Sequence, residues 1–178
     1  CAYAAQQGAK QVVGTDLSEK MLQVAREKNA SPVIAYERIA MEDLEFPSES
    51  FDVVLSSLAL HYTPEYSQIC EKVYRFLVPG GVFVFSVEHP VFTAYGSQDW
   101  IYRYFLEGER QAVFLGEPVK KYHRTLTTYL SCLLEQGFIL EAAVEPQPDP
   151  RLLHTVEGLE EELRRPMMLL IRAKKDGR

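Results

Sequence analysis

Several polar residues directly follow short apolar runs that are typical of β-strands. Asp16 ends the run QVVGTD, residues 40–43 (AMED) follow a second run, and Ser56 and Ser57 end the run FDVVLSS. In a sheet whose strands alternate with helices, ligands bind outside the carboxyl ends of the strands. We therefore expect these side chains to line a ligand site.

Three histidines near the predicted strand ends are candidates for acid–base or positioning roles. His61 follows FDVVLSS, His89 lies beside Glu88 after VFVFSVE, and His123 lies just before a predicted helix. A histidine next to a carboxylate can deprotonate a hydroxyl or orient a substrate. The alternatives are a packed imidazole bonded to a backbone carbonyl or, for His89, a turn fixed by Pro90.

The elements that must position these residues alternate between strand and helix. Apolar runs bounded by turn residues predict strands over 11–16, 32–40, 51–57, 82–88, 138–146 and 167–175. The run 82–88 is apolar at nearly every position, which is typical of a strand at the centre of a sheet, covered on both faces. Alternation of this kind predicts a doubly wound α/β sheet.

The predicted helices carry their own start and stop signals. Ser18 is the expected cap of the first helix. Thr63 and Pro64 are the expected cap and first residue of the second, and Pro-Gly-Gly at 79–81 ends it. Gly137 is the expected end of the third. The apolar stripes are Met21, Leu22 and Ala25; Ile69, Val73, Phe76 and Leu77; and Leu126, Leu130, Leu133 and Leu134.

The last two predicted strands have no clear helix between them, which predicts an antiparallel hairpin at the C-terminus. Residues 150–166 nevertheless show helical spacing, which indicates a helical excursion within that connection. Its apolar positions are Leu152, Leu153, Val156, Leu159 and Leu163. The predicted sheet is thus mostly parallel, with an antiparallel closing hairpin.

Size and charge limit the classes of function. With 178 residues, of which 47% are hydrophobic, the chain suits a single domain over residues 1–178. The net charge of -6 argues against a general affinity for nucleic acid or anionic membranes. No apolar run approaches the roughly 20 residues that a membrane-spanning helix needs.

The cysteines indicate a reducing compartment. Cys1, Cys70 and Cys132 are odd in number and widely spaced, and none belongs to a metal-ligand pattern. We therefore expect neither a disulfide framework nor a metal site. We do expect a cytoplasmic location.

Three segments in this order carry a family resemblance: VVGTDLSEKML, MEDLEFPSESFDVVLSSLALHY and LVPGGVFVFSVEHP. Over about residues 4–90 the chain resembles class I methyltransferases that use S-adenosylmethionine, in the small-molecule branch that includes quinone-biosynthesis enzymes. The resemblance implies a Rossmann-like fold, S-adenosylmethionine as cofactor and methyl transfer to a small-molecule acceptor. Such transfer depends mainly on positioning, so an obvious base is not required.

The resemblance also implies roles for the strand-end residues. Asp16 would accept hydrogen bonds from the ribose hydroxyls, as carboxylates do well; the alternative is that it caps the following helix. Leu17 and Met41 would sandwich the adenine; the alternative for Met41 is ordinary core packing. Ser56 and Ser57 would line the methionine part, although serines here are equally typical of turns. Glu42 and Asp43 would contribute to adenine recognition.

Residues 92–122 correspond to an irregular insertion in which the family builds its substrate lid. Its aromatic residues suit a flat or apolar acceptor, although about half of them can simply pack the lid. The lid candidates are Tyr95, Trp100, Tyr102 and Tyr104. Basic residues in and next to the lid favour either an anionic substrate or, our preferred interpretation, a solvated face. They are Arg103, Arg110, Lys120, Lys121 and Arg124.

The family's first strand and its glycine-rich turn have no counterpart in the sequence, which opens with CAYAAQQGA instead of a methionine. This opening matches the helix that follows the glycine turn. We therefore expect an N-terminally truncated domain that lacks the first strand, with exposed sheet edges that can support a homodimer.

Two other functions stay open. One is a non-catalytic scaffold that has lost cofactor binding. The other is a nicotinamide-dependent oxidoreductase, which also uses an acid after its second strand.

Overall fold

A computed structural model describes residues 1–94, 103–114 and 116–177. The chain forms two compact units, Cys1–Glu45 and Phe46–Arg178. Among the described helices, none combines the length and apolar character needed to cross a membrane.

The first unit is a small α/β layer. It contains helix α1 (Ala2–Gln6), strand β1 (Val12–Asp16), helix α2 (Glu19–Lys28), strand β2 (Ile34–Arg38) and a 3₁₀ turn (Met41–Asp43). Strands β1 and β2 pair in parallel, with Asp16 opposite Arg38. Their carboxyl ends therefore lie at the same edge.

Helix α2 begins as predicted, because the Ser18 hydroxyl accepts a hydrogen bond from the Met21 N–H at 3.3 Å. Of the predicted apolar stripe, Leu22 is buried at 2% exposure. Met21 is 59% exposed, so its assignment to the packed face is wrong. Only Leu22 anchors the helix as a fully buried side chain.

The second unit contains a four-stranded sheet and a separate hairpin. Its elements are β3 (Phe51–Ser57), a 3₁₀ turn (Leu60–Tyr62), α3 (Tyr66–Phe76), β4 (Leu77–Glu88), α4 (Pro90–Thr93), β5 (Gly108–Phe114), β6 (Glu117–His123), α5 (Leu126–Glu135), β7 (Phe138–Val144), a 3₁₀ turn (Leu159–Leu163) and β8 (Met168–Lys175). The sheet order is β3-β4-β8-β7, and β5 pairs with β6.

The pairings confirm the α/β class and the antiparallel C-terminal hairpin. Strand β3 pairs in parallel with β4, whereas β8 pairs antiparallel with both β4 and β7. Across the described strands, two of the five pairings are parallel, so the sheet is more mixed than the predicted mostly parallel one.

The core lies on one face of β4, which is central as predicted. Phe83, Phe85 and Val87 are at most 1% exposed. The Phe85 ring centre lies 6.1 Å from that of Tyr66 in α3, and the Tyr66 ring meets that of Tyr129 in α5 edge to face at 5.0 Å. Burial of each such phenylalanine contributes about 1.5–3 kcal/mol. The opposite face of β4 is half-buried, so the strand is covered less completely than its sequence predicted.

Helix α3 begins later than predicted. Its N-cap is Glu65, so Thr63 and Pro64 precede it. Thr63 is extended, and its hydroxyl accepts a hydrogen bond from the Glu65 N–H at 3.1 Å. A local turn thus takes the place of the predicted cap. The helix already ends at Phe76, and the Pro-Gly-Gly segment lies within β4.

Two apolar patterns near the C-terminus differ from the structure. In α5 the buried residues are Tyr129 and Leu133, whereas Leu134 is 55% exposed. Residues 150–166 form turns and a short 3₁₀ segment instead of the predicted helix. Leu152 and Val156 remain 48% exposed there, and Gly158 adopts a φ of +80°, which interrupts a helix.

The predicted irregular insertion contains regular structure. Strands β5 and β6 form an antiparallel hairpin in which Arg110 lies opposite Lys121 and Gly108 opposite His123. Of the four aromatic lid candidates, Tyr104 is described, and the other three lie outside the described residues.

Candidate functional site

Asp16 lies at the carboxyl end of β1 and is exposed. Its Oδ1 accepts a hydrogen bond from the Ser18 N–H at 2.8 Å, so the carboxylate also closes the turn before α2. Among the described residues, Ser18 is its sole hydrogen-bond partner. One carboxylate oxygen therefore stays available to accept hydrogen bonds from a ligand.

The other adenosine-site candidates lie at the same edge of the first unit. Leu17 is 64% exposed, and its carbonyl accepts a hydrogen bond from Arg38 Nε at 3.0 Å. Met41 is half-buried, and Asp43 is exposed with its N–H bonded to the Ala40 carbonyl at 3.0 Å. Glu42 is exposed in the same 3₁₀ turn. The structure thus brings these residues and Asp16 to one edge of the β1–β2 pair.

Strand β3 ends in a strained turn. Ser56 is half-buried and Ser57 is exposed. Leu58 adopts a φ of +50°, and its N–H donates to the Ser86 carbonyl at 3.0 Å and to Ser86 Oγ at 3.2 Å. A non-glycine residue with positive φ costs about 1–3 kcal/mol and is enriched at functional sites.

His61 follows this turn and is 1% exposed. Its Nδ1 accepts a hydrogen bond from the Glu88 N–H at 3.4 Å. Burial lowers the pKa of His61 from 6.5 to about 4, with Glu88 opposing and Lys121 and Arg124 adding to the effect. The imidazole is therefore neutral near pH 7 with its proton on Nε2, which favours a donor role over a base role.

Glu88 and Lys121 form an ion pair beside His61. Lys121 Nζ lies 2.5 Å from Glu88 Oε1, and the two side chains are 12% and 18% exposed. Lys121 Nζ also lies 5.8 Å from the centre of the Tyr62 ring. The prediction of a solvated basic face is wrong for Lys121, whereas Lys120 is 63% exposed and fits it.

Arg124 also departs from that prediction, because it is only 7% exposed. Its guanidinium donates to the Leu60 carbonyl at 3.3 Å and to the Thr63 carbonyl. It lies 5.3 Å from the centre of the Tyr66 ring and 6.0 Å from that of Tyr129. Arg124 thus holds both ends of the turn that carries His61.

His89 caps a short helix. It is 3% exposed, and its Nδ1 accepts a hydrogen bond from the Val91 N–H at 3.0 Å. Glu145 Oε1 lies 2.8 Å from Nε2, although in a direction that makes no regular hydrogen bond. Burial lowers the pKa of His89, and Glu145 opposes the shift. Glu88 faces Lys121 instead of His89, so the arrangement resembles the alternative of a turn at Pro90.

His123 is fully buried, and both of its nitrogens have partners. Nε2 lies 2.8 Å from the Tyr104 carbonyl, and Nδ1 lies 2.6 Å from Thr93 Oγ1. Because a carbonyl only accepts, Nε2 carries the proton. Burial lowers the pKa of His123, so the residue stays neutral and joins the lid segment to α4.

The segment that the sequence predicted as a lid is also attached to α5. The Tyr104 hydroxyl accepts a hydrogen bond from the Leu126 N–H at 3.0 Å. Glu107 Oε1 accepts hydrogen bonds from the Thr125 N–H at 2.7 Å and from the Thr125 and Thr128 hydroxyls at 2.6 Å. Although burial opposes it, these bonds hold the pKa of Glu107 below its usual value. The carboxylate therefore serves as an anchor at neutral pH.

Sequence reasoning missed the burial of Lys121 and Arg124, which it assigned to a solvated face. Alternation along EPVKKYH was the available signal, because it places Val119, Lys121 and His123 on one face of a strand and Lys120 on the other. Recognising that strand first would have separated the two adjacent lysines.

Comparison with known proteins shows what the chain is similar to in sequence and fold. A family model described as a methyltransferase domain matches residues 1–85. A Listeria monocytogenes protein assigned to the S-adenosylmethionine dependent methyltransferases is 50% identical, with a TM-score of 0.92 over 99% of this chain and 84% of that one. An S-adenosylmethionine dependent methyltransferase from Mesorhizobium loti is 40% identical, with a TM-score of 0.89 over 98% of this chain and 85% of that one.

A shorter similarity links the chain to a quinone-modifying enzyme. Demethylmenaquinone methyltransferase of Listeria welshimeri is 43% identical over 74 residues. These residues are 39% of this chain and 31% of that enzyme.

Proposed function

Because the chain belongs to the S-adenosylmethionine-dependent methyltransferases, we propose that it transfers the methyl group to a small-molecule acceptor. The fold is the Rossmann-like one of that family, and S-adenosylmethionine is the cofactor. The observation that carries the proposal holds in each unit taken by itself: Asp16 lies at the carboxyl end of β1 in the first unit, and Ser56 and Ser57 lie at the carboxyl end of β3 in the second.

The first unit supplies the residues for the adenosine part. Asp16 accepts hydrogen bonds from the ribose hydroxyls with its available oxygen, as its exposure and single local partner allow. The exposed Leu17 and the half-buried Met41 offer apolar surface for adenine. Glu42 and Asp43 offer carboxylate oxygens to its amino group.

In the second unit, Ser56 and Ser57 offer hydroxyls at the end of β3 for the methionine part of the cofactor. The bound cofactor supplies an electrophilic methyl group on a sulfonium. The chain's own residues bind the acceptor, hold its reacting atom in line with that methyl group and exclude water. His61 and Tyr62, in the 3₁₀ turn that follows β3, are the residues that we propose for this role.

The proposal also covers the acceptor and the predicted lid. Tyr104 anchors the described part of the proposed lid to α5. The aromatic side chains of Tyr95, Trp100 and Tyr102 are of a type that suits a flat or apolar acceptor. His89 and His123 serve as positioning residues through the short helix α4. The partial match to demethylmenaquinone methyltransferase supports a flat ring compound as acceptor.

We also propose a cytoplasmic location and a homodimer. Cys1, Cys70 and Cys132 are free thiols, as a reducing compartment requires. Strand β3 ends its sheet with Val53 and Leu55 exposed at 57% and 70%, which a second copy can cover. Sedimentation equilibrium measures the oligomeric state of the chain. A monomer at all concentrations contradicts the homodimer.

Calorimetry with S-adenosylhomocysteine tests the cofactor site. We expect saturable binding by the chain and a loss of about tenfold or more in Asp16→Ala, because a charge-assisted hydrogen bond disappears. Glu27→Ala is the matched control, since this exposed acid of the same unit bonds only to Gln23 among the described residues. If Asp16→Ala and Glu27→Ala bind S-adenosylhomocysteine with equal affinity, Asp16 is not part of the cofactor site.

The same titration distinguishes the proposed methyltransferase from a non-catalytic scaffold. A scaffold that has lost cofactor binding gives no heat with S-adenosylhomocysteine. The family membership already favours methyl transfer over nicotinamide chemistry.

A further inference from the structure

The Glu88–Lys121 ion pair has no role in the function described above. Its atoms lie 2.5 Å apart, and both side chains are less than one-fifth exposed. Withdrawing two charges from water is unfavourable, so a sheltered pair at a strand end is a candidate functional group. The neighbouring Lys120–Glu109 pair, at 3.2 Å, is by contrast exposed and typical of a surface.

The position of the pair points to a ligand. Glu88 is the last residue of β4, and its N–H bonds to His61 Nδ1. Lys121 reaches the same place from β6, close to the Tyr62 ring. A carboxylate, an ammonium group, an imidazole and an aromatic ring thus meet at the carboxyl end of the β3–β4 pair, where ligands bind in sheets of this type.

The cluster of Glu88, Lys121, His61 and Tyr62 offers a defined set of hydrogen-bond donors and acceptors to a ligand. With Nδ1 occupied by the Glu88 N–H, neutral His61 presents an N–H at Nε2. No hydrogen bond reaches Nε2 from the residues described in the structure. The cluster therefore combines two donors, Lys121 and His61, with one proton acceptor, Glu88. Such a set suits a hydroxyl group that is about to lose its proton.

We propose that the acceptor carries an acidic hydroxyl, as in a phenol or enol, and that Lys121 binds its oxyanion while Glu88 takes the proton. This inference rests on the proposed small-molecule methyl transfer. The acceptor O–H bond breaks, the proton moves to a Glu88 carboxylate oxygen, and the electron pair stays on the acceptor oxygen.

The remaining chemistry balances without another reactant. The electron pair on oxygen forms the new bond to the methyl carbon while the sulfur–methyl bond breaks and sulfur keeps its electrons. The Lys121 ammonium group pairs with the negative oxygen until the bond forms. Glu88 then releases its proton to water.

Two nitrophenyl probes test the oxyanion site on the chain saturated with S-adenosylhomocysteine. The phenolate of 4-nitrophenol carries the proposed charge and absorbs visible light, whereas 4-nitroanisole is its uncharged methyl ether. We expect the phenolate to bind about tenfold or more tightly than the ether, the size of a hydrogen bond to a charged group. Lys121→Met should abolish this preference, and Lys120→Met should keep it.

Glu88→Gln distinguishes a loss of phenolate binding from damage to the fold. It breaks the same ion pair as Lys121→Met but leaves the Lys121 ammonium group in place. We expect its affinity for the phenolate to be unchanged or higher, since a neighbouring negative charge is gone. Thermal melting of each variant shows whether it is folded, and Lys121→Arg, which keeps a cation, should retain the preference.

The proposed function and this inference fail in different ways. Absence of S-adenosylhomocysteine binding contradicts the cofactor site itself. When that binding is intact, the inference is overturned by equal affinity for both probes, by binding of neither, or by an equal loss in Lys121→Met and Lys120→Met. A loss of phenolate binding in Glu88→Gln overturns it as well.

Discussion

Burial decides the charge state of the site histidines. His61, His89 and His123 are at most 3% exposed, and burial lowers the pKa of each. Their imidazoles are neutral near pH 7, so each carries one N–H that can donate and one nitrogen that can accept. At the residue scale, the positive charge near the β3–β4 strand ends comes from Lys121 and Arg124.

A pH titration of stability checks the state of His61. Its folded pKa of about 4 lies below the ordinary 6.5, so the unfolded chain takes up the proton first. The free energy of unfolding contributed by this residue is therefore complete above about pH 6.5 and is lost as the pH falls towards 4. We expect His61→Gln to reduce this pH dependence in urea unfolding.

His154→Gln is the control, because the His154 side chain is 85% exposed. His89 and His123 contribute in the same direction, so only the difference between variant and unaltered chain reports on His61. An unchanged slope in His61→Gln contradicts the buried neutral imidazole.

At the scale of elements, the turn between β3 and α3 is held from two sides. Leu58 is fixed by two hydrogen bonds to Ser86 at its start, and Arg124 binds the Leu60 and Thr63 carbonyls across it. The turn carries His61 and Tyr62, so its geometry sets the positions of the two residues that we propose to contact the acceptor. Strain at Leu58 is tolerated because these contacts determine the backbone path.

Arg124→Lys tests this clamp. Lysine keeps the charge but cannot reach two carbonyls with one planar fork, so one buried acceptor loses its donor. We expect the free energy of unfolding to fall by about 1–3 kcal/mol, measured by urea denaturation. Arg151→Lys, at a side chain that is 88% exposed, should change it by no more than about 0.5 kcal/mol. Equal effects in the two variants argue against the clamp.

At the scale of the whole molecule, cofactor binding must stabilise the folded chain. A ligand at 100 times its dissociation constant adds about 2.7 kcal/mol to the free energy of unfolding. We expect S-adenosylhomocysteine to raise the melting temperature and reduced nicotinamide cofactor at the same concentration to leave it unchanged. The reverse result in differential scanning calorimetry revives the oxidoreductase alternative.

The sequence predicted those parts of the fold whose patterns are local. Strand β3 has the predicted bounds because FDVVLSS is an apolar run between turn residues, and Ser18 caps α2 as expected. Spacing alone cannot show whether an apolar side chain finds a partner. Leu152 and Val156 keep helical spacing without a buried face.

For the candidate site, too, the sequence predicted only the parts that follow from local patterns. The strand-end rule located Asp16 and the serines of β3, while their roles stay predictions. Burial of Lys121 and Arg124 depends on contacts between β6, β4 and the turn after β3, which are distant in sequence. No pattern within a short window reports such contacts.

The two adjacent lysines of β6 also form an internal reference for chemical footprinting. An amine-reactive acylating reagent meets Lys120 in solvent, whereas Lys121 is held against Glu88. The ratio of modification at the two positions, read by mass spectrometry on one peptide, is independent of reagent dose. It therefore reports how often the β5–β6 hairpin lifts from the sheet, in unaltered protein and under working conditions.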